Sequence, residues 1–268
     1  MISEEIFYKF HSNHGAHIIL EEHNSVAHRT FSFDDGLVFS EKHLQPGEFF
    51  VIEVEQNDDN WIGYLRLGLT QINPNIFSSK NIKIPKRAVP DLMELGITWV
   101  YNLSDLLPNI TDSREISWPF NIEENKFDIT EEYIKTCQGT YSRFNLKSLH
   151  NNDKIQKNHR LFEINTGFKI GVVYVPTNDT ISELFYIING DVLGPYAVGI
   201  PYNESPLYGV VDIFGKTKRI RVLQIQAEKS LKQMCRLIIL KTHDMEKIKK
   251  SLLPKSIIDY LNFKSDII

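Results

Sequence analysis

Cysteine is scarce in this sequence, which has only Cys137 and Cys235 among its 268 residues. Two cysteines cannot supply the disulfide framework of a secreted protein, so a reducing, cytoplasmic location is the expectation. A RING domain needs several paired Cys-x-x-Cys zinc ligands, and two cysteines exclude such a domain from this chain.

Long apolar runs and an excess of positive charge are also missing. The longest apolar runs, such as Ile170–Val175, are far too short to span a bilayer. The first ten residues, MISEEIFYKF, lack the apolar core of a signal peptide, so no leader is expected. A net charge of −4 gives no reason to expect nucleic acid as a partner. We therefore expect a soluble protein without a transmembrane segment.

Familiar catalytic patterns are absent as well. The sequence contains neither a Gly-x-Ser-x-Gly elbow nor a glycine-rich phosphate loop. Cys235 lies on the apolar stripe of a predicted helix, where burial would raise the thiol pKa and leave it unreactive. We predict no catalytic residue and no cofactor, and we interpret the chain as a protein that is not an enzyme.

Three histidines near the N-terminus, His11, His14 and His17, raise the question of a metal site. Their spacing of three fits neither one face of a strand nor the four-residue step of a helical zinc pair. No carboxylate or cysteine accompanies them nearby in the sequence. No metal ligand is predicted.

Alternation of apolar and polar residues, which is typical of β-strands, runs through most of the chain. It is clear in Glu48–Glu55 and in Leu184–Ile188, and the latter leads into Asn189-Gly190, a strong hairpin signal. Trp61 and Trp99 are interpreted as core residues. Residues from about 104 to 160 break the alternation and are rich in polar side chains, with helix-compatible pieces such as Thr130–Cys137. We interpret them as an insertion, partly helical or loosely ordered.

Several long motifs resemble the neuralized homology repeat and follow one another in that family's order. They are Phe10-His11-x-x-His14-Gly15-Ala16, Arg29-x-x-Ser32-Phe33-x-x-Gly36, Trp61-x-Gly63-x-Leu65-Arg66-Leu67-Gly68-Leu69-Thr70, Leu95-Gly96-x-Thr98-Trp99-Val100, Phe185-x-Ile187-x-Asn189-Gly190 and Leu207-Tyr208-x-Val210-Val211-Asp212. The resemblance covers about residues 6–228. It implies a mainly β protein, an antiparallel sandwich of the SPRY type that binds peptides through loops at one end.

Loop residues at the ends of such a sandwich are the candidates for contact with a target protein. Asn60, in the polar turn after one predicted strand, and Asn189 and Asp191, at the hairpin tip, are the residues we select. His14 belongs to the first motif and is a fourth candidate. An ordinary solvated turn is the alternative for each of them.

After Gln226 the hydrophobic period changes from two to 3.6, which indicates helices. Ser230 and Gln233 have the spacing of a capping box, and an apolar stripe follows them. The stripe consists of Leu231, Met234, Cys235, Ile238 and Ile239, with Lys232, Gln233 and Arg236 outside it. Further helices are predicted near 244–252 and from Ser256. Three short helices over residues 229–268 bury too little surface to fold well alone.

The pattern Ser-Leu-x3-Cys-x3-Ile of Ser230–Ile239 resembles the elongin-binding box that opens a SOCS box. The resemblance implies contact with elongin C through four residues of this helix. They are Leu231, Cys235, Ile238 and Ile239. An ordinary C-terminal helix packed on its own core is the alternative interpretation.

The segment 251–261 resembles the part of a SOCS box that recruits cullin-5. The resemblance implies cullin contacts from Leu253, Pro254, Ile257, Tyr260 and Leu261. Ser251-Leu252 stands where the SOCS family has its first Leu-Pro pair, which is a departure from the pattern.

A neuralized repeat followed by a SOCS box implies a substrate-recognition subunit of a cullin–RING E3 ubiquitin ligase. The sandwich would hold the target protein, and the helices would dock on elongin B/C, leading to target ubiquitination and degradation. Two alternatives stay open: a scaffold that binds peptides or membrane proteins without a ligase, and a carbohydrate-binding jelly roll, for which no Ca²⁺-ligand cluster is apparent.

Overall fold

The computed structural model describes residues 8–106, 126–148, 164–243, 247–248, 250 and 252–261. Its strands form three antiparallel sheets. The first has seven strands in the order β1 (Ile18–Glu21), β2 (Val26–Arg29), β14 (Thr217–Val222), β4 (Phe50–Asn57), β10 (Lys169–Pro176), β11 (Ile181–Ile188) and β12 (Asp191–Pro201). The second has the order β3 (Leu37–Phe39), β13 (Tyr208–Asp212), β5 (Arg66–Thr70) and β6 (Thr98–Asn102). The third contains β7 (Asp128–Ile129), β8 (Tyr133–Thr136) and β9 (Gly139–Ser142).

The seven-stranded and four-stranded sheets pack face to face around the main core. Alternate residues of β4, Phe50, Ile52 and Val54, point into it and are buried together with Leu67 and Leu69 of β5. Because successive side chains of a strand point to opposite faces, one row of each strand supplies this core. The predicted antiparallel β-sandwich is confirmed.

The third sheet covers the opposite face of the seven-stranded sheet. Val51, from the other row of β4, and Phe49, just before the strand, are buried against Ile134 and Tyr141. The Phe49 and Tyr141 rings stack with centroids 3.9 Å apart. The prediction of a helical piece at Thr130–Cys137 is therefore wrong. Burial in β8 alternates with a period of two, and the strand pairs with both β7 and β9.

The packing of β8 predicts a measurable cost for a small change at Ile134, which is fully buried. Ile134→Val removes one methylene from a packed site and is expected to lower the free energy of unfolding by about 1 kcal/mol. Its partner in the register of β7 and β8, Ile129, is 40% exposed. Ile129→Val is the matched control and should change stability little. Urea denaturation of both variants makes the comparison, and equal effects would mean that β8 is not part of the core.

Short helices cover the outer face of the four-stranded sheet. They are α1 (Asn75–Ser79) and a kinked turn, Ala88–Leu92, which continues into α2 (Met93–Leu95). Phe77 of α1 and Leu92 pack on Phe39 and Val210 of the sheet. Two further helices are α3 (Leu103–Leu106) and α4 (Arg143–Leu146).

The C-terminal part contains α5 (Leu231–Thr242) and α6 (Lys255–Leu261). It joins the sandwich through a backbone pair in which Thr140 and Glu228 exchange hydrogen bonds of 2.9 and 2.8 Å. The helix predicted near 244–252 falls largely on residues outside the described ones, so the three-helix arrangement stays a prediction. Among the residues that the structure describes, no helix combines the length and apolar character needed to cross a membrane.

Candidate docking and target-binding sites

Helix α5 begins as its sequence predicts, with a capping box at Ser230. The Ser230 hydroxyl accepts from the Gln233 backbone N–H at 3.3 Å, and the Gln233 side-chain carbonyl accepts from the Ser230 N–H at 2.8 Å. Two backbone donors that lack helical partners are satisfied in this way. The start of the helix is thereby fixed by local chemistry.

The apolar stripe of α5 faces solvent. Leu231 is 73% exposed and Ile238 is 62% exposed, while Met234 and Cys235 are also exposed and Ile239 is half-buried. The expectation that Cys235 is buried in an apolar stripe is wrong. Exposed apolar side chains in a contiguous row indicate a surface that a partner covers.

Arg236, expected on the solvent side of α5, is instead buried. Its guanidinium donates from Nε to the Tyr260 carbonyl at 2.9 Å and from Nη2 to the Leu261 carbonyl at 2.8 Å. Carbonyls at a helix C-terminus lack intrahelical partners and favour a nearby cation. Burial lowers the pKa of Arg236 to about 10, so the group stays charged at neutral pH. Arg236 therefore holds α6 against α5 and turns the apolar stripe outward.

Cys137, in the turn between β8 and β9, lies near Arg236, whose positive charge would favour the thiolate. Burial raises the pKa of its thiol to about 12. Its sulfur donates to the Pro46 carbonyl at 3.4 Å. The thiol is therefore a protonated packing group at the junction of the sandwich and the helices.

The predicted cullin-binding residues divide into an exposed and an inner set. Leu253, Pro254 and Ile257 are exposed, and the Pro254 carbonyl accepts the first helical hydrogen bonds of α6 from Ile257 and Ile258 at 2.9 and 3.1 Å. Tyr260 is half-buried under the Lys232 and Arg236 side chains. Leu261 is only 2% exposed, so its side chain is not at the surface.

At the end of the sandwich away from α5, three loops bring apolar side chains together. We call this group the loop rim, and it consists of Phe33, Trp61, Ile62 and Phe214. The Phe33 ring lies 5.7 Å from the Trp61 ring and 5.8 Å from the Phe214 ring, centroid to centroid. Ile62 is 90% exposed, and Trp61, predicted to be a core residue, is also at the surface. The loops approach closely because Gly215 has a φ of +57° and a Cβ there would lie 2.5 Å from the Gly63 carbonyl oxygen.

The four candidate target-binding residues are not brought together by the fold. Asn60 is exposed beside the loop rim, where its backbone and side-chain N–H groups donate to Asp58 at 3.0 and 2.9 Å. These hydrogen bonds, the backbone one above all, lower the pKa of Asp58. His14 is half-buried near β3.

Asn189 and Asp191 lie in the β11–β12 turn, two strands along the sheet from β4. The Asn189 side chain accepts from the Lys169 N–H at 2.9 Å, and Asp191 accepts from Arg143 at 2.5 Å. Both side chains thus take part in fixing this turn.

The loop rim and the exposed stripe of α5 lie at opposite ends of the sandwich. Strand β4 starts next to Glu48, whose pKa is raised by burial and lowered less by the charge of nearby Lys229, just before α5. The strand ends next to Asp58 and Asn60, beside the loop rim. Its eight residues span roughly 23 Å at about 3.3 Å per residue. Two partners could therefore bind without touching each other.

These features give the structural class of the protein, which is an antiparallel β-sandwich followed by a short helical segment. The chain belongs to the Neuralized family, whose model matches residues 10–224. It is 30% identical over 274 residues to "Neuralized-like protein 2" of Mus musculus, covering 96% of this chain and 92% of that protein. Among solved structures, the neuralized NHR1 domain of Drosophila melanogaster has a TM-score of 0.52 at 20% identity, covering 81% of this chain and 97% of the domain.

The interpretation of the chain as a protein that is not an enzyme is wrong. Relatives that match about a third of it are named E3 ubiquitin-protein ligases, and such ligases are enzymes. One is "E3 ubiquitin-protein ligase NEURL3" of Rattus norvegicus, 36% identical over 85 residues that make up 32% of this chain and 33% of the relative. The interpretation rested on missing nucleophile and phosphate-loop patterns, and their absence excludes only the reactions that use them.

Proposed function

We propose that this chain acts in protein ubiquitination as the target-recognition part of an elongin B/C–cullin–RING E3 ubiquitin ligase. The sandwich binds the target protein, and α5 docks on elongin C. The names of the relatives support a role in ubiquitin ligation. The observation that carries the docking half is the outward-facing apolar stripe of α5.

The stripe has the form of a helix that binds in a groove. Leu231, Met234 and Ile238 are exposed at spacings of three and four, the spacing of helix anchors in a partner's groove. Fully burying one aliphatic side chain is favourable by about 1.5–3 kcal/mol, so covering three of them favours association. Cys235, between them, is small enough for the partner to come close.

An ordinary helix packed on its own core would bury its apolar stripe and expose its charges. Helix α5 does the reverse, because Arg236 is inside and Leu231 outside. This orientation favours docking on a partner over the alternative of a core helix. The exposed Leu253, Pro254 and Ile257 are the residues we assign to a cullin, with cullin-5 as the candidate.

Separation of the two ends suits a bridging protein. A target held at the loop rim stays clear of elongin C at α5, so both can be bound together. Ubiquitination of the target is then favoured because its lysines are held at high local concentration near the charged conjugating enzyme.

Co-expression of the full chain with elongin B and elongin C tests the proposal. We expect the three proteins to purify as one complex, and a chain ending at residue 228 to bind the same targets without elongin and without promoting their ubiquitination. Failure of the full chain to bind elongin B/C would contradict the ligase assembly and favour the scaffold alternative. Loss of target binding by the shorter chain would contradict the division of roles.

A further inference from the structure

The fold brings the carboxylates of Asp34 and Asp35 to His17, although both are at least 17 positions from it in the sequence. The ligand atoms of His17, Asp34 and Asp35 all lie within 4.8 Å of one another. The β2–β3 loop is tied to the His17 segment by backbone hydrogen bonds, from Gly15 N–H to the Leu37 carbonyl at 2.7 Å and from His17 N–H to the Asp35 carbonyl at 3.2 Å. The absence of a neighbouring carboxylate, used above against a metal site, therefore does not hold for His17.

Asp35 is the residue that distinguishes this cluster from a chance grouping of surface charges. It is only 8% exposed, and within the described part of the chain its carboxylate has no hydrogen bond or salt bridge. Asp35 is therefore a largely buried residue whose carboxylate oxygens still touch solvent, and it belongs to a histidine–aspartate cluster.

We propose that His17, Asp34 and Asp35 bind a divalent transition-metal ion, for which Zn²⁺ is the probe. Zinc bonds to imidazole nitrogen and carboxylate oxygen are about 2.0–2.2 Å long, so two ligand atoms on one tetrahedral ion lie roughly 3.4 Å apart. His17 Nδ1 and Asp34 Oδ1 are 3.8 Å apart and need to approach by about 0.4 Å. The widest separation in the cluster, at most 4.8 Å, has to close by up to about 1.4 Å, which requires rotation of the side chains.

The mixed donor set selects the class of ion. Calcium and magnesium prefer oxygen ligands alone, whereas imidazole nitrogen suits zinc and its neighbours in the transition series. Binding exchanges the present contact of His17 Nδ1 with the Asp34 carbonyl oxygen, at 3.0 Å, for coordination of the ring. Three protein ligands also leave room for a water molecule or a ligand from another protein.

Two neighbouring side chains set the strength of the site in opposite directions. The Ser32 hydroxyl donates to Asp34 Oδ1 at 3.0 Å and orients the carboxylate. The Arg87 guanidinium lies 3.9 Å from Asp34 Oδ2 and is a competing positive charge. Phe31 packs the edge of its ring against His17 at 5.3 Å and shields one side. A bound ion would pin the loop that also carries Phe33 of the loop rim.

Titration calorimetry of the metal-stripped full chain with Zn²⁺ tests the proposal, with no elongin present. We expect one saturable site, weakened at least tenfold by Asp35→Asn and by His17→Gln. The control is His43→Gln, an exposed histidine near the opposite end of the sandwich, which should leave the affinity unchanged. Arg87→Gln should strengthen binding severalfold, because it removes the competing charge.

Folding does not obscure the result, since Asp35→Asn keeps the shape of the side chain and Asp35 makes no side-chain hydrogen bond in the described residues, so the metal-free variant should melt close to the wild type. The absence of saturable Zn²⁺ binding to the wild type would overturn the proposal. So would wild-type affinity in both Asp35→Asn and His17→Gln. Either result leaves the elongin experiment unaffected.

Discussion

Replacing Leu231 and Ile238 together with aspartate is expected to abolish the binding of elongin C without unfolding the protein. Removing one anchor, as in Leu231→Ala, should weaken association by roughly 2 kcal/mol, about thirtyfold. Two such losses amount to about 4 kcal/mol, roughly a thousandfold, before the cost of burying two carboxylates is added. Because both side chains are more than half exposed, the unfolding free energy should change by less than about 0.5 kcal/mol.

Calorimetry with purified elongin B/C measures this effect, and Ile62→Asp is its matched control. Ile62 is also an exposed isoleucine, but it lies in the loop rim at the other end of the sandwich. Its replacement should leave elongin binding intact. Normal binding by the Leu231/Ile238 double variant, or an equal loss in Ile62→Asp, would show that α5 is not the docking helix.

The start of α5 could be predicted from sequence, whereas its orientation could not. A capping box depends on two residues three positions apart, and an apolar stripe depends on local periodicity. The side that faces inward depends on Arg236 and the carbonyls of Tyr260 and Leu261, which are 24 and 25 positions away. A local pattern places a charged residue outside by default, and here two distant acceptors reverse that default.

The strands of the sandwich could likewise be predicted from the sequence, because alternation and the Asn189-Gly190 turn are local signals. The third sheet could not be predicted in this way. Its strands are short and polar, and Ile134 and Tyr141 show their burial only when Phe49 and Val51 are opposite them. Polar composition between 126 and 148 thus concealed a layer of the core.

The candidate sites show the same limit. Asn60 was correctly placed in a turn, but its neighbours in the loop rim come from three loops, and Phe33 and Phe214 are 181 positions apart in the sequence. His17 and Asp35 meet in the same way, through the packing of one loop on another. Motif spacing describes single segments, and these sites form between segments.

Asp212→Ala is expected to lower the free energy of unfolding by roughly 3–5 kcal/mol, because it breaks a buried ion pair and leaves the cation behind. Asp212 is fully buried, and its Oδ2 accepts from Arg66 at 2.8 Å and from the Ala88 N–H at 2.9 Å. Without it, Arg66 has one remaining side-chain hydrogen bond, to Asn102 at 2.8 Å. Urea denaturation at neutral pH measures the loss.

Two further variants separate burial from charge. Asp191→Ala removes a carboxylate that pairs with Arg143 but is 62% exposed, so it should cost no more than about 1 kcal/mol. Asp212→Asn keeps an acceptor for Ala88 and should cost less than Asp212→Ala. Equal losses in Asp212→Ala and Asp191→Ala would contradict the assignment of the Arg66–Asp212 pair as a buried structural element.

The pH dependence of the unfolding free energy of the same variants tests the direction in which the pKa of Asp212 is shifted. Burial raises the pKa of Asp212 above its usual value, more than the Ala88 N–H and Arg66 lower it. A raised carboxyl pKa means that the folded state holds the proton more tightly than the unfolded state does. This contribution to stability is therefore present below the ordinary aspartate pKa and is lost as the pH rises through the folded-state pKa. Asp212→Asn should remove that decline, since amide groups do not titrate.

Arg66 also lies over the Phe214 ring, 4.0 Å from its centroid, so the pair that stabilises the sheet also positions part of the loop rim. A variant that loses the pair should consequently lose order at the rim before the rest of the sandwich unfolds, as amide hydrogen exchange of Ile62 and Gly63 would reveal.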